Sequence, residues 1–201
     1  MEADVGRRLS AVPKSVFRLK VSLRDVKPPV WRRLEVDART TFGELHDLLQ
    51  TAMGWLDYHL HEFEVVGQRY GDPGLLEDPD VLPESRVRLG DVLGPSARFR
   101  YMYDFGDNWL HELVVEKALE PRPGVAYPRC VGGRRACPPE DVGGPWGYAE
   151  LLEVLADPRH PDHDQRRRWA GEGFDPERFD LAEVDAMVAM AAASRRRRRG
   201  R

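Results

Sequence analysis

ARFRYMYDFGDNWLHELVVEKALE, from Ala97 to Glu120, holds two runs of alternating apolar and polar residues around a short polar bend. Side chains two apart on a strand share a face, so Phe99, Tyr101, Tyr103 and Phe105 are expected to line one side of a strand over 97–105. Trp109 to Glu120 is then its antiparallel partner, and GDN is the turn of a hairpin. In that turn Gly106 is expected to supply the positive φ. Asp104, Asp107 and Asn108 cap loose backbone donors, while Trp109 packs on the aromatic face.

Working outward toward the N-terminus, VFRLKVSL (Val16 to Leu23) also repeats with period two and reads as a half-buried strand. RDVKPP interrupts it, and VWRRLEVD (Val30 to Asp37) reads as a second strand, making a hairpin-like pair. Thr41 followed three residues later by Glu44 is a capping-box pattern. Phe42, Leu45, Leu48, Leu49, Ala52 and Met53 then follow helical spacing until Gly54, a stop signal. HLHEFEVVG (His59 to Gly67) reads as a strand, Gly71 to Pro83 as a loop, and VRLGDVLG as a connecting turn.

Toward the C-terminus the composition changes at Pro121 into a long Gly/Pro-rich segment. Helices return over Tyr148 to Pro158, around DQRRRWA, and at DLAEVDAMVAMA, where Asp180 is the expected cap. The order strand, strand, helix, strand, hairpin predicts an α+β protein. Its expected form is a mixed β-sheet with a β-grasp-like ββαβ-hairpin core and a helical C-terminal layer. Residues 1–13 read as a flexible N-terminal arm, 14–190 as a single domain, and 191–201 as a disordered Arg-rich tail.

Hydrophobic residues at 41% and charged residues at 32% indicate a globular chain. The net charge of −3 includes six arginines in the last eight residues, so the rest of the chain is strongly acidic. An acidic body lacks the basic face that duplex binding uses. The Arg195 to Arg201 run reads either as a weak contact for an anionic partner or as a solvated terminus. No apolar leader is visible in the first fifteen residues, and AMVAMAAA is too short to span a bilayer, so no membrane association is expected. Two cysteines do not make a disulfide scaffold. A cytoplasmic location is the simplest expectation.

VWRRLEVD, TTFGELHDLLQTAMGW, HLHEF, YDFGDNWLHELVVE, CPPEDVGGPWGY and FDPERFDLAEVD together resemble the plasmid pRiA ORF-three-like family over roughly residues 14 to 190. Members of this family are often labelled passenger TnpR proteins of insertion elements. The resemblance implies an α+β fold in a mobile-element setting. It does not imply resolvase chemistry here. A serine recombinase needs a nucleophilic serine with arginines arranged around the scissile phosphate. The serines of this chain fall in no such motif, and no helix-turn-helix is visible.

Three groups of residues carry candidate chemistry. Asp104, Asp107 and His111, with His59 and His61, form a mixed imidazole–carboxylate set that suits a divalent metal at one end of the sheet. The competing reading gives the same aspartates to the turn. Cys130 and Cys137 with His160 and His163 form a second, looser candidate metal set; otherwise they are two buried thiols and two histidines near a helix start. Glu140 and Asp141 are a carboxylate pair, and the backbone around Gly143 and Gly144 is a candidate anion site at a helix start. Trp31, Trp55, Trp109, Trp146 and Trp169 are expected at core and junction positions. Two functions follow. The first is a mobile-element-associated accessory module that binds a protein or nucleic-acid partner. The second is a metal-dependent hydrolase using the Asp/His set at the YDFGD hairpin.

Overall fold

The computed structural model describes residues 15–199. It opens with the β1–β2 hairpin, β1 spanning Val16–Leu23 and β2 Trp31–Asp37, with Phe17 opposite Val36 and Leu19 opposite Leu34. Helix α1 (Phe42–Met53) opens with the reciprocal capping box: Glu44 N donates to Thr41 Oγ1 at 3.2 Å, and Thr41 N donates to Glu44 Oε2 at 2.8 Å. Gly54 ends it in the left-handed region at φ 86°. Buried Arg32 donates through Nε to Ala52 O at 2.8 Å and through Nη1 to Arg134 O at 3.1 Å, tying the end of α1 to the sheet edge.

After α1 come β3 (His61–Val65), β4 (Gln68–Gly71), the one-turn helix α2 (Pro73–Leu76), the short β5 (Leu82–Pro83) and α3 (Leu89–Val92). Next, β6 (Arg98–Tyr103) and β7 (Trp109–Leu119) form the hairpin read from the sequence, with Phe99 opposite Leu113, Tyr101 opposite His111 and Tyr103 opposite Trp109. β8 (Arg129–Arg134), α4 (Gly144–Ala156), α5 (His163–Ala170) and α6 (Leu181–Arg199) complete the chain. The eight strands form one sheet in the order β5-β4-β3-β6-β7-β1-β2-β8; it is antiparallel except between β4 and β5, so the protein is α+β with a mixed sheet.

One core fills one face of this sheet. Phe42 on α1 packs against Phe63, Tyr70 and Phe99 at ring separations of 5.1, 4.6 and 6.2 Å. Tyr148 and Leu151 of α4 and Val188 of α6 join the same cluster. Burying each such side chain contributes roughly 1.5–3 kcal/mol before chain entropy is counted. The opposite face is polar. Arg33 pairs with Glu116, Arg24 and Arg98 with Glu112, and Arg18 and Arg122 with Glu35. Five arginines share three glutamates there, so these pairs hold the arginines in place without cancelling their charge.

Several expectations are corrected. Phe105 does not continue the inward aromatic row; it is 41% exposed because Asp104 adopts φ 57° and breaks the alternation. The positive φ of the turn belongs to Asp104 and Asn108 (φ 55°), not to Gly106, since aspartate and asparagine tolerate the left-handed region when their side chains bond locally. The 71–83 loop contains α2 and β5, and the Gly/Pro-rich segment contains β8, an edge strand that pairs with β2. Trp55 and Trp109 are core residues, but Trp146 is 88% exposed and Trp169 is exposed as well. The tail expected to be disordered from residue 191 is helical through Arg199, because alanine and arginine are strong helix formers. Asp180 caps that helix as expected, accepting from Glu183 N at 3.0 Å. The arm at 1–13 and residues 200–201 lie outside the described residues. Among the described residues no helix is long and apolar enough to cross a membrane.

Candidate metal centre

Antiparallel register builds the first half of the site. His61 sits opposite Tyr103, and Asp104 N donates to Leu60 O at 2.9 Å. Two residues before His61, His59 is therefore carried to the bend that follows Tyr103. Asp104 divides its two oxygens there. Oδ1 accepts from Gly106 N at 2.9 Å and from Asp107 N at 3.3 Å, which holds the turn. Oδ2 faces His59 Nε2 at 3.6 Å. The turn and the site use the same aspartate through different atoms.

The second half arrives from the loop before α4. Asp141 Oδ1 lies 3.1 Å and Glu140 Oε2 3.9 Å from His59 Nε2. The nitrogen is buried yet makes no hydrogen bond, so it faces three carboxylates without being satisfied by any of them. His59, Asp104 and Asp141 each bring one ligand atom within 4.8 Å of the other two. Two ligand atoms about 2.1 Å from one ion stand about 3.0–3.4 Å apart at octahedral or tetrahedral angles, so a modest contraction closes this set around a divalent cation. Asp57, Asp104 and Asp141 all have left-handed backbones, at φ 59°, 57° and 57°, a conformation that concentrates at sites where side chains must be aimed.

Glu140 is fixed by two donors: Leu56 N at 2.8 Å and Tyr103 OH at 3.1 Å, both to Oε1. Burial, then the Glu140 carboxylate, push the Tyr103 phenol well above its ordinary pKa and keep it a donor. Asp107 stands beside the cluster, not in it. Its Oδ2 accepts from Gly143 N at 3.1 Å, so the anion held at the start of α4 is the chain's own side chain. Gly144 (φ 68°) packs so closely on the turn that a Cβ would meet Asp107 O at 2.3 Å.

His61 and His111 belong elsewhere. His111 is in phase with Trp109 and Leu113 and points into the core, where Nδ1 donates to Trp109 O at 2.9 Å. Burial depresses its pKa to about 4. His61 stacks on His46 at 3.4 Å and 3°, and its Nε2 meets Glu84 Oε2 at 2.9 Å. Burial, reinforced by the neighbouring His61, depresses the pKa of His46 to about 3. Neutral His46 then donates from Nε2 to Asp57 Oδ1 at 2.8 Å and accepts at Nδ1 from Tyr101 OH at 2.8 Å. His46, Asp57 and His61 are also close enough together to suggest a metal. Their geometry argues against it: imidazole lone pairs lie in the ring planes, and two nearly parallel planes do not converge on one ion. This group instead pins the loop that carries His59, with Gln50 Oε1 accepting from Asp57 N at 3.1 Å.

The cysteine–histidine set does not assemble. Cys130 N donates to Asp185 Oδ1 of α6, whereas Cys137 Sγ lies 3.1 Å from Met53 Sδ of α1, and burial pushes both thiols up. His160 Nδ1 accepts from Asp162 N at 3.2 Å, and His163 pairs with Asp164 at 3.1 Å. Among the described residues, no three of Cys130, Cys137, His160 and His163 bring ligand atoms together. The sequence reading set His59 with Asp104 but kept Glu140 and Asp141 as a separate pair, and the structure brings all four together. That reading gave no site role to Tyr103 and His46, whose polar ends sit within an aromatic and a helical run, or to Asp57 in the loop after α1.

Fold and site together define an α+β protein of one mixed sheet, with a histidine–carboxylate cluster where three loops meet. The chain belongs to the family of plasmid pRiA4b ORF-3-like proteins, whose pattern matches residues 15–183. It is 38% identical over 182 residues to the uncharacterized protein y4hQ of Sinorhizobium fredii (strain NBRC 101917 / NGR234), covering 89% of this chain and 93% of that protein. It is similar to the crystal structure of a protein of unknown function, MM3350 from Methanosarcina mazei Go1. That match has a TM-score of 0.79 and 41% identity, covering 85% of this chain and 97% of the other.

Proposed function

We propose that the protein is a divalent-metal-dependent hydrolase whose ion is held by His59, Asp104 and Asp141, with Glu140 as the general base. One observation carries the reading: an unsatisfied, buried imidazole nitrogen faces three carboxylates drawn from two distant parts of the chain. A bound divalent ion would supply Lewis acidity and lower the pKa of a coordinated water. Glu140 is held by Leu56 N through Oε1 and by Tyr103 OH, which lies 3.1 Å from Oε1 and 3.4 Å from Oε2, while Oε2 also faces His59 Nε2 at 3.9 Å and is the oxygen placed to take the proton. His46 and Gln50 hold the Asp57 end of the His59 loop and act as positioning residues.

Exposed Arg197 at the end of α6 favours a second reading, a mobile-element-associated accessory module that contacts an anionic protein or nucleic acid through residues 195–201. Either reading is compatible with a β-grasp-like likeness for the β1–β2–α1 unit, supported by α1 following the opening hairpin and packing Phe42 on Phe63 and Phe99 of the sheet.

Glu140→Gln separates the readings. With manganese or zinc supplied, the variant should bind the ion like the parent while turnover of a chromogenic ester falls by at least about 100-fold. Equal turnover by the two proteins removes Glu140 from the chemistry. No metal uptake by either supports the accessory module.

A further inference from the structure

The chain is acidic overall, yet its charges are unevenly spread. The sheet face turned away from the core carries Arg18, Arg24, Arg33, Arg98 and Arg122 over three glutamates, Glu35, Glu112 and Glu116. Lys20 and Lys117 add to the excess, with Lys20 opposite Arg33 and Lys117 opposite Arg18 in the strand register. Like charges directly opposite on neighbouring strands weaken a sheet, so stability does not explain two such pairs on one face. The carboxylates lie beneath the cations. The Glu35 side chain is 1% exposed and that of Glu112 31%, whereas those of Arg24, Arg122 and Arg98 are 52%, 56% and 69% exposed. What solvent meets on this face is positive.

These cations form a row across the sheet. Arg18, Arg33, Arg98 and Lys117, with Glu116, line one open cleft of about 730 Å³. Strands β6, β7, β1, β2 and β8 lie side by side, and Arg98, Lys117, Arg18 and Arg33 stand on the first four in turn. Exposed Arg134, opposite Trp31 in the register, stands on the fifth. At about 4.8 Å between strands the row is about 19 Å long. That exceeds one phosphate or one nucleotide and suits several units of an extended polyanion. Trp31 lies within the row, its ring centre 5.1 Å from the Arg33 guanidinium and 5.8 Å from Lys20 Nζ. Cations for phosphates beside an aromatic ring for a base are what hold a single strand on a sheet. A flat sheet face has no element that enters a duplex groove.

From these observations we infer that the outer face of strands β6, β7, β1, β2 and β8 binds single-stranded nucleic acid. Arg18, Arg33, Arg98 and Lys117 meet its phosphates, and Trp31 meets a base. The face shares no residue with the His59 cluster or with residues 195–201, so the inference rests on neither functional reading.

Fluorescence anisotropy of a labelled oligothymidylate of about 12 nucleotides, titrated with the full chain at about 50 mM salt, tests it. Neutralising about four phosphates should make log Kd rise with log salt at a slope of about 3. Arg98→Glu combined with Lys117→Glu should weaken binding at least about tenfold. Glu112 keeps Arg24 as a partner in that variant, which should unfold at the parent's urea midpoint. Trp31→Leu should weaken the oligothymidylate at least about fivefold while leaving competition by inorganic polyphosphate unchanged. Binding should persist in a full-length variant carrying Arg197→Ser, Arg198→Ser, Arg199→Ser and Arg201→Ser, and should be weaker for a duplex of the same sequence. Five results would each overturn the inference: no binding, binding that disappears with the tail arginines, equal affinity for the duplex, displacement by polyglutamate as readily as by unlabelled strand, or insensitivity to either the charge reversals or Trp31→Leu.

Discussion

Replacing Gly144 with alanine tests whether the hairpin turn and α4 are locked together at the site. Two costs apply. Gly144 has φ 68°, where an alanine pays about 1–2 kcal/mol. Its Cβ would also meet Asp107 O at 2.3 Å, more than 1 Å inside ordinary contact, and backbone on both sides cannot swing away. Forced overpacking of this kind costs about 1–3 kcal/mol, so the sum is about 2–5 kcal/mol. Two other glycines separate the terms. Gly54 has φ 86° with nothing within 4 Å of its Cβ position, so Gly54→Ala should show the conformational cost alone. Gly147 lies within α4 without a positive φ, but its Cβ would meet Val142 O at 2.0 Å. Gly147→Ala should therefore show a clash partly offset by about 1 kcal/mol of helix propensity. Urea unfolding is the assay. At an m-value of about 2 kcal/mol per molar, Gly144→Ala should lower the midpoint by about 1–2.5 M. A Gly144→Ala midpoint equal to that of Gly54→Ala would refute the close approach of α4 to the turn.

Thr41→Ala removes the side-chain cap of α1 and should cost about 1 kcal/mol in the same assay; an unchanged midpoint would show that the capping box is not stabilising. His46 and His111 are buried neutral with pKa values depressed to about 3 and about 4. The unfolded chain therefore binds protons below the ordinary histidine value of about 6.5 that the folded chain refuses, so stability falls as pH drops from there toward 4. Each histidine contributes a slope approaching 1.4 kcal/mol per pH unit, and His111→Gln should flatten the measured slope by about one histidine's share. An unaltered slope contradicts a buried, neutral His111.

The parts of the fold set by local rules were legible in the sequence. Val16 to Leu23 forms a strand over the residues its alternation marked, and Thr41, Glu44 and Gly54 bracket α1 through side-chain and backbone chemistry contained within a few residues. The hairpin was legible for the same reason, but its turn was not: any residue can be assigned a left-handed φ only once the strand ends are fixed, and here Asp104 and Asn108 take it from the glycine. Phase would have removed His111 from the candidate site, since it shares the inward parity of Trp109 and Leu113. The meeting of His59 with Glu140 and Asp141 had no local signal. It depends on strand register, on Gly144 approaching Asp107 and on Leu56 N binding Glu140, all of which join residues far apart in the chain.

Metal content of the full chain, purified without an affinity tag and measured by elemental analysis beside His59→Ala, tests the central claim most directly. About one equivalent of zinc or manganese in the parent, lost in His59→Ala while the two proteins stripped of metal unfold at the same midpoint, is the predicted result. An ion retained by His59→Ala but lost from Cys137→Ser, or a parent that takes up no ion from either metal, would contradict it.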